Sequence, residues 1–273
     1  MMYEAGGSRS FWCHPSVVTV TGIACRIERL ARRVRTVLFR SLIMSIEITL
    51  ERQSIPLSPQ EAALAKAATS RQALRHQFER TVALKPALFQ PAGSLTVDEA
   101  TLRWCIHRYS EQLVHDAVEQ VNFFLSLNRP IYPEPGFAPL YYFAHPSGGQ
   151  GLSVNKSAVA AIGEGVGALL LQRLMQARII SRPYHDFPDL IGTDAVSGSQ
   201  IVSSKIYLLE VKSACMRSVS EMRQTLRSEV FRLAAYTAAA QDLDPARAMV
   251  GLLVGVVIHN MHHFHVLLTE VTL

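Results

Sequence analysis

Apolar positions along this chain recur first at helical spacing, then give way to a proline-rich stretch, and return as alternating helical and extended runs. Between residues 26 and 43, Ile27, Leu30, Ala31, Val34 and Leu38 share one helical face opposite a row of arginines, which predicts a basic amphipathic helix. Over 58–83, Ser58 stands before Pro59 and Glu61, giving an N-cap, a first-turn proline and an acid where the helix dipole favours one. Leu102, Ile106, Tyr109, Leu113, Val114, Val118, Val121 and Leu125 predict a second, longer helix over 97–127. Residues 129–150 then hold five prolines and three glycines and read as a linker.

Beyond it the pattern predicts a helix at 156–177, extended runs at 178–184, 189–196 and 205–212, a helix at 218–241 opened by Ser218 and Glu221, and strands at 248–258 and 263–272. That order is αβββαββ. The run KIYLLEVK over 205–212 is apolar on both faces, as a strand in the middle of a sheet covered on both sides must be. The expectation is an α/β protein: a basic extension over 1–43, a helical domain over 44–128, a linker over 129–150, and a mixed central sheet flanked by helices over 151–273.

Composition narrows the class. The 273 residues are 49% apolar and 18% charged, enough for a sizeable core. No run of 18 apolar residues exists to span a bilayer, and no membrane partner is expected. The formal charge of +5 resides wholly in residues 1–43, where seven Arg face two Glu, while residues 44–273 carry 20 basic and 20 acidic groups. The body is neutral, so any basic surface is local. The segment 26–43 fits a membrane-surface or transit helix, or an extension preceding a folded protein that opens near Met44. Cys13, Cys25, Cys105 and Cys215 form no CxxC pair, which points to neither a zinc knuckle nor a disulfide framework and to a reducing, cytoplasmic setting.

The candidate chemistry gathers in the second half. Residues two apart on a strand share a face, so Glu210 and Lys212 point the same way from a buried strand. A hairpin returning over 197–204 sets Asp189, which follows Pro188, beside Glu210. Glu164 is the lone carboxylate in a small-residue stripe, with Ala160, Ala161, Gly167, Ala168 and Leu171 on its face. Carboxylates in that number suit a hard cation, Mg²⁺ or Mn²⁺, and a neighbouring lysine suits charge developing on a phosphate. The same Glu–Lys pair also fits a buried structural ion pair. Asp186 and Asp194 compete with Asp189 for its role, without the preceding proline.

Pro188-Asp189 followed by Glu210-Val211-Lys212, with Glu164 on the preceding helix, resembles the PD-(D/E)XK nuclease superfamily of restriction-endonuclease-like fold. The resemblance covers 151–273. It implies that Asp189 and Glu210 hold the metal with the Val211 carbonyl, that Lys212 acts on the attacking water, and that Glu164 supports the metal directly or through water. It implies a metal-dependent nuclease acting on nucleic acid, DNA in preference to RNA, and leaves the front part unexplained; the helical region is expected to guide substrate, a homodimer or a protein partner. The alternative is a catalytically inactive protein of that fold serving as an interaction or assembly module.

Arg223 and Arg227, one turn apart after Arg217, together with Gln224, are the candidate nucleic-acid contacts, or else a solvated face pairing with Glu221 and Glu229. His259, His262, His263 and His265 crowd a strand junction and form a weaker candidate for zinc. Trp104, Tyr141, Tyr142 and Phe143 read as core or linker anchors rather than base-stacking platforms.

Overall fold

Ile46, Ile48 and Leu50 are buried while Ser45 and Glu47 face solvent, the two-residue period of a strand with one face on a core. That strand, β1 (Ser45–Pro56), opens the computed structural model, which describes residues 45–83, 85, 88–127, 154–183, 187–194 and 205–273. The basic segment 1–43, the linker 129–150, the loop 197–204, Asp186 and residues 141–143 lie outside the described residues.

The helix expected over 58–83 is two: α1 (Pro59–Ala68), whose predicted N-cap Ser58 forms a capping box with Glu61, and α2 (Gln72–Ala83). β2 (Gln90–Asp98) follows, antiparallel to β1. The helix expected over 97–127 is also two, α3 (Glu99–Tyr109) and α4 (Ala117–Leu127), parted at Ser110, whose backbone is extended at φ −76° and ψ 142°. Then come α5 (Lys156–Arg173), β3 (Ala177–Ser181), β4 (Leu190–Asp194), β5 (Lys205–Cys215), α6 (Val219–Leu243), β6 (Ala248–Asn260) and β7 (His263–Thr272). The second half thus has the expected αβββαββ order.

All seven strands form one mixed sheet in the order β2-β1-β7-β6-β5-β4-β3, parallel between β1 and β7 and between β5 and β6, antiparallel elsewhere. One face carries α3, α4 and α5 over Leu209, Val211, Leu252, Val254 and Phe264; the other carries α1, α2 and α6 over Leu253, Val257, Leu267 and Val271. The molecule is therefore α/β with helices on both faces, and β5 and β6 run through its middle, buried on both sides as their continuous apolar sequences require.

The division into a helical domain over 44–128 and a separate sheet domain is corrected. Residues 44–273 form a single compact unit, because β1 pairs in parallel with β7 from Glu47–His263 to Pro56–Thr272 and buries Ile46, Ile48 and Leu50 in the same core as α5. Burying an aliphatic side chain of that size stabilises by about 1.5–3 kcal/mol, so β1 is structural to the second half and not an appendage of the first.

Candidate active site

The site is set by how closely α5 lies on β5. A Cβ on Gly163 would stand 2.6 Å from Ser213 Cβ, and one on Gly167 would stand 2.8 Å from a Val211 methyl carbon. Two glycines four residues apart therefore let the helix settle onto the strand, and their absent side chains fix where Glu164, between them, begins.

Glu164 is 6% exposed. Its Oε2 accepts from the Glu111 backbone N–H at 2.7 Å and its Oε1 from Gln112 Nε2 at 3.0 Å. Both donors come from the break after α3: had 97–127 stayed helical, the Glu111 N–H would be used inside the helix. Burial raises the Glu164 carboxyl above its ordinary range, against the lowering effect of these hydrogen bonds.

Asp189 and Glu210 meet through strand register. Leu190 is opposite Leu209 in the antiparallel β4–β5 pair, and one further step along each strand sets Asp189 opposite Glu210. Asp189 Oδ2 accepts from the Val211 backbone N–H at 2.6 Å, which anchors its carboxylate at the strand end. Its carboxyl is pushed up to about 7 by burial first and by the charge of Glu210 second, with Glu164 adding in the same direction and Lys212 opposing. Glu210 is 5% exposed, and Lys212 Nζ lies 2.7 Å from its Oε1. The predicted residues Glu164, Asp189, Glu210, Val211 and Lys212 are thus brought near one another beside the middle of β5, where β4 begins.

Among the described residues no three His, Cys, Asp or Glu side chains stand close enough to hold one ion together. Both oxygens of Glu164 are engaged, by Glu111 and Gln112. Asp189 and Glu210 each keep one carboxylate oxygen without a hydrogen-bond partner among the described residues. Two opposed, half-engaged carboxylates whose charges repel are a donor set that fits a hard divalent ion retaining several waters. Asp194, the competitor, sits at the other end of β4 and accepts from the Tyr207 hydroxyl at 3.1 Å.

The helix residues expected at nucleic acid are not gathered with these acids. Arg223 pairs with Glu51 on β1 and lies over the Phe89 ring at 5.7 Å. Gln224 and Arg227 line a cavity of about 510 Å³ with Gln53, Phe78 and Lys85, between α2 and α6. A helix turns about 100° per residue, so it is another face of α6 that meets the site. Glu229 Oε2 stands 4.0 Å from Lys212 Nζ, Arg232 lies over the Phe187 ring at 4.8 Å, and Tyr236 packs on Phe187 at 4.3 Å. Phe187 immediately precedes Pro188-Asp189. The i, i+3, i+7 spacing of Glu229, Arg232 and Tyr236 was the sequence signal for this face, masked by the more conspicuous Arg223–Arg227 pair.

The histidines have partners of their own. His265 Nε2 lies 3.0 Å from Glu51 Oε1, His263 Nε2 lies 3.0 Å from Thr49 Oγ1, and His259 stacks on His263 at 5.3 Å. Burial, and then its two histidine neighbours, lower the proton affinity of His259. Cys105 and Cys215 are free thiols, both pushed up to about 11 by burial and so poorly suited to act as nucleophiles. Among the described residues no helix is long and apolar enough to cross a membrane. The chain matches no family model, no curated protein and no solved structure in the comparisons made with each.

Proposed function

We propose that this chain is a metal-dependent nuclease of the PD-(D/E)XK kind, hydrolysing phosphodiester bonds of DNA in preference to RNA. The observation that carries the proposal is the juxtaposition of Asp189, immediately before β4, with Glu210 on the neighbouring β5, and the Lys212 ammonium 2.7 Å from Glu210. The sheet supports it: β3 to β7 lie side by side in chain order, with the acids on the neighbouring strands β4 and β5 and helices on both faces.

Asp189, Glu210 and the Val211 carbonyl would hold Mg²⁺ or Mn²⁺, which supplies Lewis-acid stabilisation of phosphate charge and a more acidic water. The Val211 N–H holds the Asp189 carboxylate in one orientation. Lys212 carries the positive charge that faces an attacking water and the phosphate. Glu164, held by Glu111 and Gln112, adds negative charge behind Asp189 and raises its demand for a cation. Arg232, half exposed beside Phe187, is placed to meet a phosphate of the bound strand.

Incubation of plasmid DNA, oligodeoxynucleotides and RNA with Mg²⁺, Mn²⁺ or EDTA tests the proposal. Cleavage with metal, none with EDTA, and loss in Asp189→Asn and Glu210→Gln is the expected result. No cleavage of any substrate with any metal overturns it. The second reading, an assembly module, is favoured by the exposure of Trp104, Leu113 and Phe123 around α3 and α4, and it predicts self-association or partner binding without hydrolysis.

A further inference from the structure

Lys212 Nζ rests on Glu210 Oε1 at 2.7 Å. A carboxylate that shares its charge with an ammonium is a weaker ligand, so loosening this pair strengthens Glu210 as a ligand. The ammonium then needs another anion, since leaving it unpaired beside buried groups is costly.

Across the site, α6 presents one. Glu229 Oε2 is buried and accepts no hydrogen bond among the described residues. The cations paired with it, Lys212 Nζ and Arg232 Nη1, both stand 4.0 Å away, beyond hydrogen-bond reach. A buried acceptor left unmet is costly, so Glu229 gains by accepting a donor. The four-carbon stem of lysine can swing its head by the roughly 1 Å that separates this distance from a charge-assisted hydrogen bond.

On the reading that Asp189 and Glu210 hold a divalent ion, we propose that Glu229 is a positioning residue that takes the Lys212 ammonium from Glu210 as the ion binds. The transfer couples two events: ion binding frees Lys212, and the waiting Glu229 makes ion binding easier. Lys212 is thereby held off Glu210 and over the side of the site that α6 covers.

Mn²⁺ titration calorimetry on wild type, Glu229→Gln, Lys212→Met and the double variant tests this as a thermodynamic cycle, with thermal melts confirming that each is folded. Glu229→Gln keeps shape and removes only the charge, and should weaken Mn²⁺ binding by about tenfold, the size of one charge-assisted hydrogen bond. In the Lys212→Met background the same change should have no effect. Should Lys212→Met prove unfolded, Lys212→Gln takes its place. Wild-type binding with an unaltered Glu229→Gln overturns the proposal and leaves the nuclease reading standing. So does a loss that persists without Lys212, because Glu229 would then act on the ion directly. A wild type that binds no Mn²⁺ and cleaves nothing removes the nuclease reading, and the proposal with it.

Discussion

Asp189 carries the most telling electrostatics in the molecule. Its carboxyl rises from 3.8 in the unfolded chain to about 7 in the folded one, chiefly through burial and then through Glu210. Between those values the folded state keeps a proton that the unfolded chain has lost, so its contribution to stability falls as pH rises through that window and levels off above it. Glu164, also raised, acts with the same sign. The metal-free protein should therefore melt higher near pH 5 than near pH 8, and Asp189→Asn should raise the pH 8 melting temperature and flatten the difference. Each kcal/mol is worth about 2–4 °C in a domain this large. Melts at the two pH values check this; a Asp189→Asn variant that melts lower at both, with the slope kept, would mean that the aspartate stabilises the fold. Lys212 separates catalysis from structure in a second way. Its side chain is 28% exposed while Glu210 is at the buried end of the pair, and Lys212→Met keeps the bulk of the stem while removing the charge. The variant should remain folded and lose cleavage by orders of magnitude. If Lys212 were only a structural partner, the loss would be about 3–5 kcal/mol of stability, largely recovered by adding Glu210→Gln.

At the scale of elements, the contacts that place the acids are short-range and narrow. The α5–β5 approach rests on Gly163 facing Ser213, where an added Cβ would come within 2.6 Å of Ser213 Cβ and 2.8 Å of its Oγ. Gly163→Ala should cost about 1–3 kcal/mol by overpacking, and Ser213→Gly in the same chain should return part of it by vacating that space. Thermal melts of the single and double variants decide; a single variant as stable as wild type would show that α5 has room to lift without consequence. The small-residue character of α5 was legible in the sequence, as were β5 as a two-sided strand, the Asp189–Glu210 pairing, the N-cap at Ser58 and the capping box at Ser218. The break at Ser110 was not, because Leu113, Val114 and Val118 continue the helical spacing across it. What ends α3 there is tertiary: Glu111 and Gln112 turn their donors to Glu164, and Arg182 donates to the Ser110 carbonyl. No local signal in one chain carries a partner 52 residues away. The face of α6 that meets Lys212 was missed for a related reason, since only the position of β5 beneath the helix tells which of its polar rows looks inward.

At the scale of the whole molecule, the strand that the sequence hid changes what counts as the domain. The row SIEITLERQSIP alternates as a strand should, yet it stands before a long helical stretch, and its partner β2 holds Pro91 and Gly93 and alternates only at Leu95 and Val97. In the fold, β1 continues the sheet from β7 and is followed by α1 and α2, which cover the outer face of α6 and β7 with Ile55, Leu57, Ala65 and Phe78. A fragment of residues 151–273 would therefore expose β7 as a long edge and uncover apolar positions on both faces of the sheet, Phe264 and Val266 on one and Leu267 and Val271 on the other. It should be recovered as aggregate or as a non-cooperative, dye-binding state, whereas residues 44–273 should unfold in one cooperative transition. Adding residues 44–128 to the short fragment in trans should restore a cooperative melt if the two parts fold only together. A monomeric, cooperatively melting 151–273 that still binds Mn²⁺ at Asp189 and Glu210 would show instead that the front half is accessory to both fold and site.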